Sequence, residues 1–161
     1  MPARKLKEFL DSRGVKYSTI GHPTVYTAQE IAASAHIPGK DLAKTVVVKL
    51  DGKMAMAVLP ASHKIDFDLL RKAAKARTVA LACEEEFKDS FPGCNIGAMP
   101  PFGNLYGMDV YAEESLAEDE EIAFNAGSHT ELIKMAYKDF ETLVRPKLAA
   151  FSRRIPVASG A

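Results

Sequence analysis

The chain has no tryptophan and only two cysteines among 161 residues. Cys83 and Cys94 stand eleven positions apart, which fits neither a Cys-x-x-Cys redox motif nor a zinc knuckle. So few cysteines argue against a disulfide framework and for a reduced, cytoplasmic protein in which both are small core residues. No apolar run approaches the ~20 residues that a membrane helix needs. The basic start, Met1 to Lys7, leads into no apolar stretch, so no secretory leader is expected. Several standard sites are also missing. There is no Gly-x-x-x-x-Gly-Lys-Ser/Thr phosphate loop, no Gly-x-Gly-x-x-Gly after a strand and no Gly-x-Ser-x-Gly elbow. His22, His36, His63 and His129 lack the i, i+4 spacing and the nearby cysteines of a zinc site, so no metal is expected.

What is present is ordinary globular composition, 47% hydrophobic and 26% charged. The length fits one domain over residues 1–161, with 155–161 a frayed tail. Net charge is zero, but it is unevenly spread. Residues 1–80 hold 14 Lys and Arg against 7 Asp and Glu, and residues 81–161 hold 7 against 14. If the basic half gathers on one face, that face suits a polyanion; otherwise the halves interleave on a mixed surface.

Leu6, Phe9 and Leu10 mark one face of a helix that Gly14 ends. Thr27-Ala28-Gln29-Glu30 is a capping box for a second helix, stopped by Pro38-Gly39. Lys44 to Leu50 is β-branched and predicts a strand. Asp51-Gly52 then predicts a type I′ turn, so Lys53 to Leu59 returns antiparallel, with Met54 and Met56 as core candidates. Asp66 to Ala76 predicts a helix, Thr78 to Cys83 a strand and Glu84 to Phe91 a short helix. A Gly- and Pro-rich loop spans Gly97 to Gly107. Strands are expected over Leu105–Ala112, Glu121–Asn125 and Glu131–Tyr137. A helix opens at Asp139, is interrupted at Pro146, and resumes over Lys147–Arg153. The acidic runs at Glu84–Glu86 and Glu118–Glu121 are expected to be solvated. The fold class is mixed α/β: a mainly antiparallel sheet or open barrel with helices packed outside.

Three features carry chemistry. Lys44 begins a strongly apolar strand; it either reaches a cavity to hold an anion or snorkels at the strand end. In Gly97-Ala98-Met99-Pro100-Pro101-Phe102-Gly103, glycines allow close backbone approach and prolines stiffen the loop. Its N–H groups could hold a carbonyl or oxyanion, or the loop is an ordinary connection. Gly127-Ser128-His129 lies between two strands, where the imidazole could orient water or a carbonyl, or be only a hairpin tip.

Taken in order, this lysine, the Gly-x-x-x-Pro-x-Gly loop and Gly-Ser-His resemble the YbaK and prolyl-tRNA synthetase-associated domain family. His22-Pro23-Thr24-Val25-Tyr26-Thr27-Ala28-Gln29-Glu30 resembles that family's His-x-x-x-x-Thr/Ser-x-x-Glu segment. The resemblance covers roughly His22 to Phe151. It implies a freestanding hydrolase of the ester joining a small amino acid, such as alanine, to mischarged tRNA for proline. It implies no cofactor and a cytoplasmic place in translation quality control. Aminoacyl-tRNA is the implied partner, with prolyl-tRNA synthetase beside it, and neither membrane nor DNA. By the same resemblance Lys44 and His129 are catalytic, while Gly97, Pro101, Phe102, Gly103, Gly127 and Ser128 bind substrate. Two other readings stand beside it: a noncatalytic module that binds an aminoacyl or nucleotide ligand or docks on a synthetase, and a general small-ester hydrolase.

Overall fold

The structure, a computed structural model, describes residues 4–21, 40–87, 98–128 and 130–155. Helix α1 (Arg4–Ser12) buries Leu6 and Leu10. Gly14 closes it at φ 68°, with the Val15 N–H donating to the Leu10 carbonyl. Strand β1 (Tyr17–Gly21) follows, a short and mostly exposed segment whose sequence carries no apolar alternation. The Thr27 capping box and its helix lie outside the described residues.

Strands β2 (Ala43–Leu50) and β3 (Lys53–Pro60) form the expected hairpin, eight residues on each side. Asp51 and Gly52 both take positive φ, 52° and 85°, as a type I′ turn requires. The Asp51 carboxylate also accepts the backbone N–H groups of Arg77 and Thr78. The turn is thereby tied to the start of β5 (Val79–Leu81), which pairs with β2. Between them run β4 (His63–Ile65) and α2 (Phe67–Ala74), whose N-cap Asp66 accepts the Leu69 N–H at 3.1 Å. A short helix, α3 (Glu84–Phe87), comes next.

The later chain departs from expectation in three places. The strand expected from Leu105 begins only at Asp109, giving β6 (Asp109–Glu113). A 3₁₀ turn over Gly103–Leu105 and a positive φ of 70° at Gly107 occupy the preceding residues. After β7 (Glu121–Asn125) and β8 (Glu131–Ala136), helix α4 spans Tyr137–Val144. The chain does not then resume a helix. Arg145 is left-handed, Pro146 follows it, and Lys147–Ala149 and Ser152–Arg154 form two short strands, β9 and β10. Pairing is antiparallel except that β3–β6 and β6–β9 are parallel.

The described strands form three sheets rather than a closed barrel: β5-β2-β3-β6-β9, β1-β8-β7 and β10-β4. Strand alternation gives the five-stranded sheet two apolar faces. Ala43, Val47, Met56, Val58, Val110 and Ala112 face α1 and the three-stranded sheet, and Met54 packs at their margin. Val48, Ala55, Ala57, Leu59 and Tyr111 face Leu70 of α2 and Phe151. Cys83 is exposed, contrary to the core position expected of it, because β5 is a thin edge strand. Cys94 lies outside the described residues.

At Gly103 an added Cβ would stand 2.5 Å from the Met108 carbonyl oxygen and 2.6 Å from Val110 Cγ2. Gly103→Ala is therefore expected to destabilise the protein by about 1–3 kcal/mol, the usual cost of overpacking. The reading is a lower denaturation midpoint at unchanged slope; an unshifted midpoint would show that this approach does not hold the loop.

Candidate active site

The loop before β6 is held from beneath. Residues 98–103 are all buried. The Phe102 ring is inaccessible to solvent and lies against Phe9, Phe124 and Phe140, with centroids 5.5–6.2 Å apart. The Phe102 and Gly103 carbonyls accept N–H groups from Leu105, Tyr106 and Met108. Phe102 and Gly103 thus fix the loop's shape from the core side, with Pro101 buried next to them. Gly97 lies outside the described residues.

The turn after β7 is bonded to that loop. The Ala126 N–H closes the turn onto the Glu131 carbonyl, and the Gly127 N–H donates to the Ala98 carbonyl at 2.9 Å. Gly127 sits at φ 99°, a conformation that favours glycine. The Ser128 hydroxyl stands 3.4 Å from both the Thr130 N–H and its hydroxyl, leaning back along the turn. His129 lies outside the described residues. At the mouth of the turn Asn125 Oδ1 is buried with no hydrogen-bond partner among the described residues. Sequence reasoning missed this residue, whose only signal is a polar side chain ending an apolar strand.

Lys44 reaches the same end of the molecule by a different route. Leu42 bridges Ala123 in parallel, and the Ala123 N–H donates to the Asp41 carbonyl at 3.0 Å. Two residues further along each parallel chain stand Lys44 and Asn125, so the lysine is level with the base of the turn. Alternation puts Lys44 on the opposite sheet face from the loop, beside Val46 and Val48. Among the described residues no carboxylate pairs with it and no hydrogen bond joins it to loop or turn. Burial holds its pKa below the ordinary lysine value. Its charge is felt by His63, whose pKa is pushed down by burial first, against the pull of Glu113, with Lys44 and Arg154 adding to the fall.

A half-buried cation at a sheet end can hold a phosphate or polarise an ester carbonyl. Among the described residues no group of three or more His, Cys, Asp or Glu is arranged to hold a metal ion. No described helix is long and apolar enough to cross a membrane.

Comparison with known proteins agrees with this geometry. The model of the aminoacyl-tRNA editing domain matches residues 22–143. The chain is 26% identical over 155 residues to the Escherichia coli K12 multifunctional Ser/Thr-tRNA deacylase ProXp-y, covering 93% of this chain and 92% of that one. It is 24% identical over 98 residues to a proline–tRNA ligase of Bacillus mycoides, covering 61% of this chain and 17% of the ligase. Among solved structures, a proposed trans-editing enzyme for prolyl tRNA synthetase superposes with a TM-score of 0.81 at 20% identity, covering 94% of this chain and 97% of that one. The hypothetical protein APE2540 gives a TM-score of 0.83 at 19% identity, covering 93% and 100%. The chain therefore belongs to the aminoacyl-tRNA editing domain family, as an aminoacyl-tRNA hydrolase.

Proposed function

We propose that residues 1–161 act as one editing domain that works in trans in the cytoplasm. It removes a small amino acid, alanine first, from mischarged tRNA for proline. The observation that carries this reading is the hydrogen bond from Gly127 to Ala98, which fastens the loop to the turn at the level of Lys44. An aminoacyl ester is already activated, so positioning and stabilisation of the developing oxyanion supply most of what catalysis needs. The loop carrying Gly97, Pro101, Phe102 and Gly103 bounds the aminoacyl chamber, and its rigid backing sets the chamber's size. Gly127 and Ser128 shape the opposite wall, from which His129 places the carbonyl or its water. Lys44 holds the terminal phosphate or ribose. One methylene is worth only ~1–3 kcal/mol in binding, so small amino acids escape rejection at synthesis and need a second, size-limited sieve.

Removing Lys44 separates activity from folding. Its pKa is lowered in the fold, so the charged form is disfavoured there at every pH below the folded pKa, and the penalty is fully present at neutrality. Lys44→Met is expected to slow deacylation about 100-fold or more, with a Tm equal to or above that of the parent. Full activity in this variant would remove the lysine from the mechanism.

Single-turnover rates on tRNA charged with alanine, serine, threonine and proline test the chamber. Serine and threonine belong in the panel because the E. coli relative is named for them. Alanine should leave fastest and proline be spared; equal rates for the two would sink the small-chamber reading. His129→Ala should slow alanine release, though less than Lys44→Met does, with tRNA affinity kept. No change on any substrate would make the histidine a turn residue only.

The basic half supplies a docking surface. Lys64, Lys72, Lys75 and Arg77 are exposed along α2 and its flanks, with no ion-pair partner among the described residues. Affinity for tRNA should fall steeply with salt. Replacing Lys64, Lys72 and Lys75 by alanine should raise KM more than it lowers kcat. A salt-insensitive affinity would remove this surface from the account.

A further inference from the structure

Glu113 ends β6 at 4% exposure, the only charged residue among the described residues that is buried as a whole. Its Oε2 accepts the Phe151 N–H at 2.8 Å and the Ser152 hydroxyl at 2.8 Å. A serine has one hydroxyl proton, and here it goes to the carboxylate. The Ser152 oxygen, 2.7 Å from His63 Nδ1, is therefore left to accept, and Nδ1 carries the proton. A neutral imidazole protonated on Nδ1 presents Nε2 as an acceptor. Burial, with the nearby Lys44 and Arg154 charges and against the pull of Glu113, lowers the ring's pKa and so favours the neutral form. Glu113 and Ser152 are positioning residues that set the tautomer of His63.

His63 lines a cleft of about 620 Å³ that also takes in Lys40, Ser115, Asp119 and Arg154. Ser115 Oγ and Asp119 Oδ2 are buried there without a hydrogen-bond partner among the described residues. The Asp119 side chain is only 6% exposed, its other oxygen lying 3.4 Å from Lys40 Nζ. This corrects the expectation that the Glu118–Glu121 run is wholly solvated. Arg153 is bonded to Asp66 at 2.6 Å, whereas Arg154, opposite His63 in the β4–β10 pair, has no acidic partner among the described residues. Besides Ser62, the exposed Glu118 carboxylate and the Lys40 ammonium, which is paired with Asp41 and Asp119, the walls offer His63 and Asp119 as acceptors, the Ser115 hydroxyl and the Arg154 guanidinium. The acceptors call for a ligand with hydroxyl donors, and the guanidinium calls for an oxyanion. A free amino acid has both signs but is far smaller than the cleft; a nucleotide matches its size.

We propose that this cleft binds a ribose phosphate, with sugar hydroxyls on His63 Nε2 and Asp119 and the phosphate on Arg154. The ligand is either a free mononucleotide or a nucleotide of the tRNA 3′ end. Only the second source rests on the deacylase reading, and it is the one that the nearness of Lys44 to His63 favours.

The full-length protein is titrated with 5′-CMP, 5′-AMP and an uncharged acceptor-stem RNA ending in CCA. Binding is read by calorimetry and by ¹⁵N spectra of the histidine side chains. The free protein should show His63 protonated on Nδ1, and both ligand types should shift its Nε2 signal. Ser152→Ala should mix the tautomers. Arg154→Ala, on an exposed residue that should not disturb folding, should weaken binding roughly tenfold, as loss of a charge-assisted phosphate contact does. It should also raise the KM of deacylation with little change in kcat. Competition between CMP and the RNA assigns the site to the tRNA end, and binding of mononucleotide alone assigns it to a free ligand; either supports the site. An Nε2–H tautomer in the free protein, binding of amino acids but not nucleotides, or unchanged affinity in Arg154→Ala would overturn it. A parent that deacylates normally while no nucleotide shifts His63 fails only this site. A parent that deacylates nothing while CMP shifts His63 fails only the deacylase reading.

Discussion

One short stretch of backbone, Asp41-Leu42, joins the two larger sheets. The Leu42 carbonyl accepts from Ala61 at 2.7 Å on the β3 side, while the Asp41 carbonyl accepts from Ala123 at 3.0 Å on the β7 side. Leu42 and Ala123 are both 2% exposed, so water does not compete for these bonds. The bridge fixes where β7 ends relative to β2, and so places the turn at Gly127 level with Lys44. A slip of one residue there would send every β7 side chain to the wrong face and carry the turn away from the lysine.

The loop depends on that same placement. Phe124 of β7 is one of the rings that hold Phe102. The aromatic cluster therefore ties loop to strand by packing, and Gly127 ties loop to turn by a hydrogen bond. Packing is non-directional and tolerates small shifts, whereas the hydrogen bond and the close approach at Gly103 do not. The first kind of contact makes the loop stable, and the second makes it rigid.

Local chemistry was legible in the sequence. The Asp51-Gly52 turn, the Asp66 cap, the Gly14 stop and the β2–β3 hairpin each follow from a few adjacent residues. So did the lysine, the loop and the turn, because each has a local residue pattern and the resemblance orders them. What was not legible is long-range. The parallel pairing of β6 with β3 and β9 has no local signal. Lys147–Arg153 looked helical because its capture by the edges of β6 and β4 depends on partners tens of residues away. The Glu113–Ser152–His63 chain joins residues 39 to 89 positions apart, so nothing in the spacing announces it. Charge was misread in part for the same reason. Lys7, Lys40 and Lys49 of the basic half pair with Glu131, Asp119 and Glu86 of the acidic half. Among the described residues the α2 lysines and their neighbours are exposed basic groups left without such a pair.

Three groups shifted chiefly by burial, Lys44, His63 and Asp119, lie toward one end of the five-stranded sheet. Lys44 and His63 are pushed down, and Asp119 is pushed up to about 6, chiefly by burial and then by the neighbouring Asp41 charge. For Lys44 and Asp119 this is a cost to the fold at neutral pH, whereas for His63 the cost arises below its unfolded pKa of 6.5. For Asp119 the folded pKa lies above the unfolded value of 3.8. The stability it contributes is therefore full below about pH 4 and is lost as pH rises through 6. Exposed charges elsewhere carry no such cost, because partners such as the Lys49–Glu86 pair favour the charged forms. A fold shaped by stability alone would have given Lys44 a carboxylate. Lys44, His63 and Asp119 lie toward the bridge that places the loop and turn, and such a grouping of perturbed charges is what the proposed ligand sites call for.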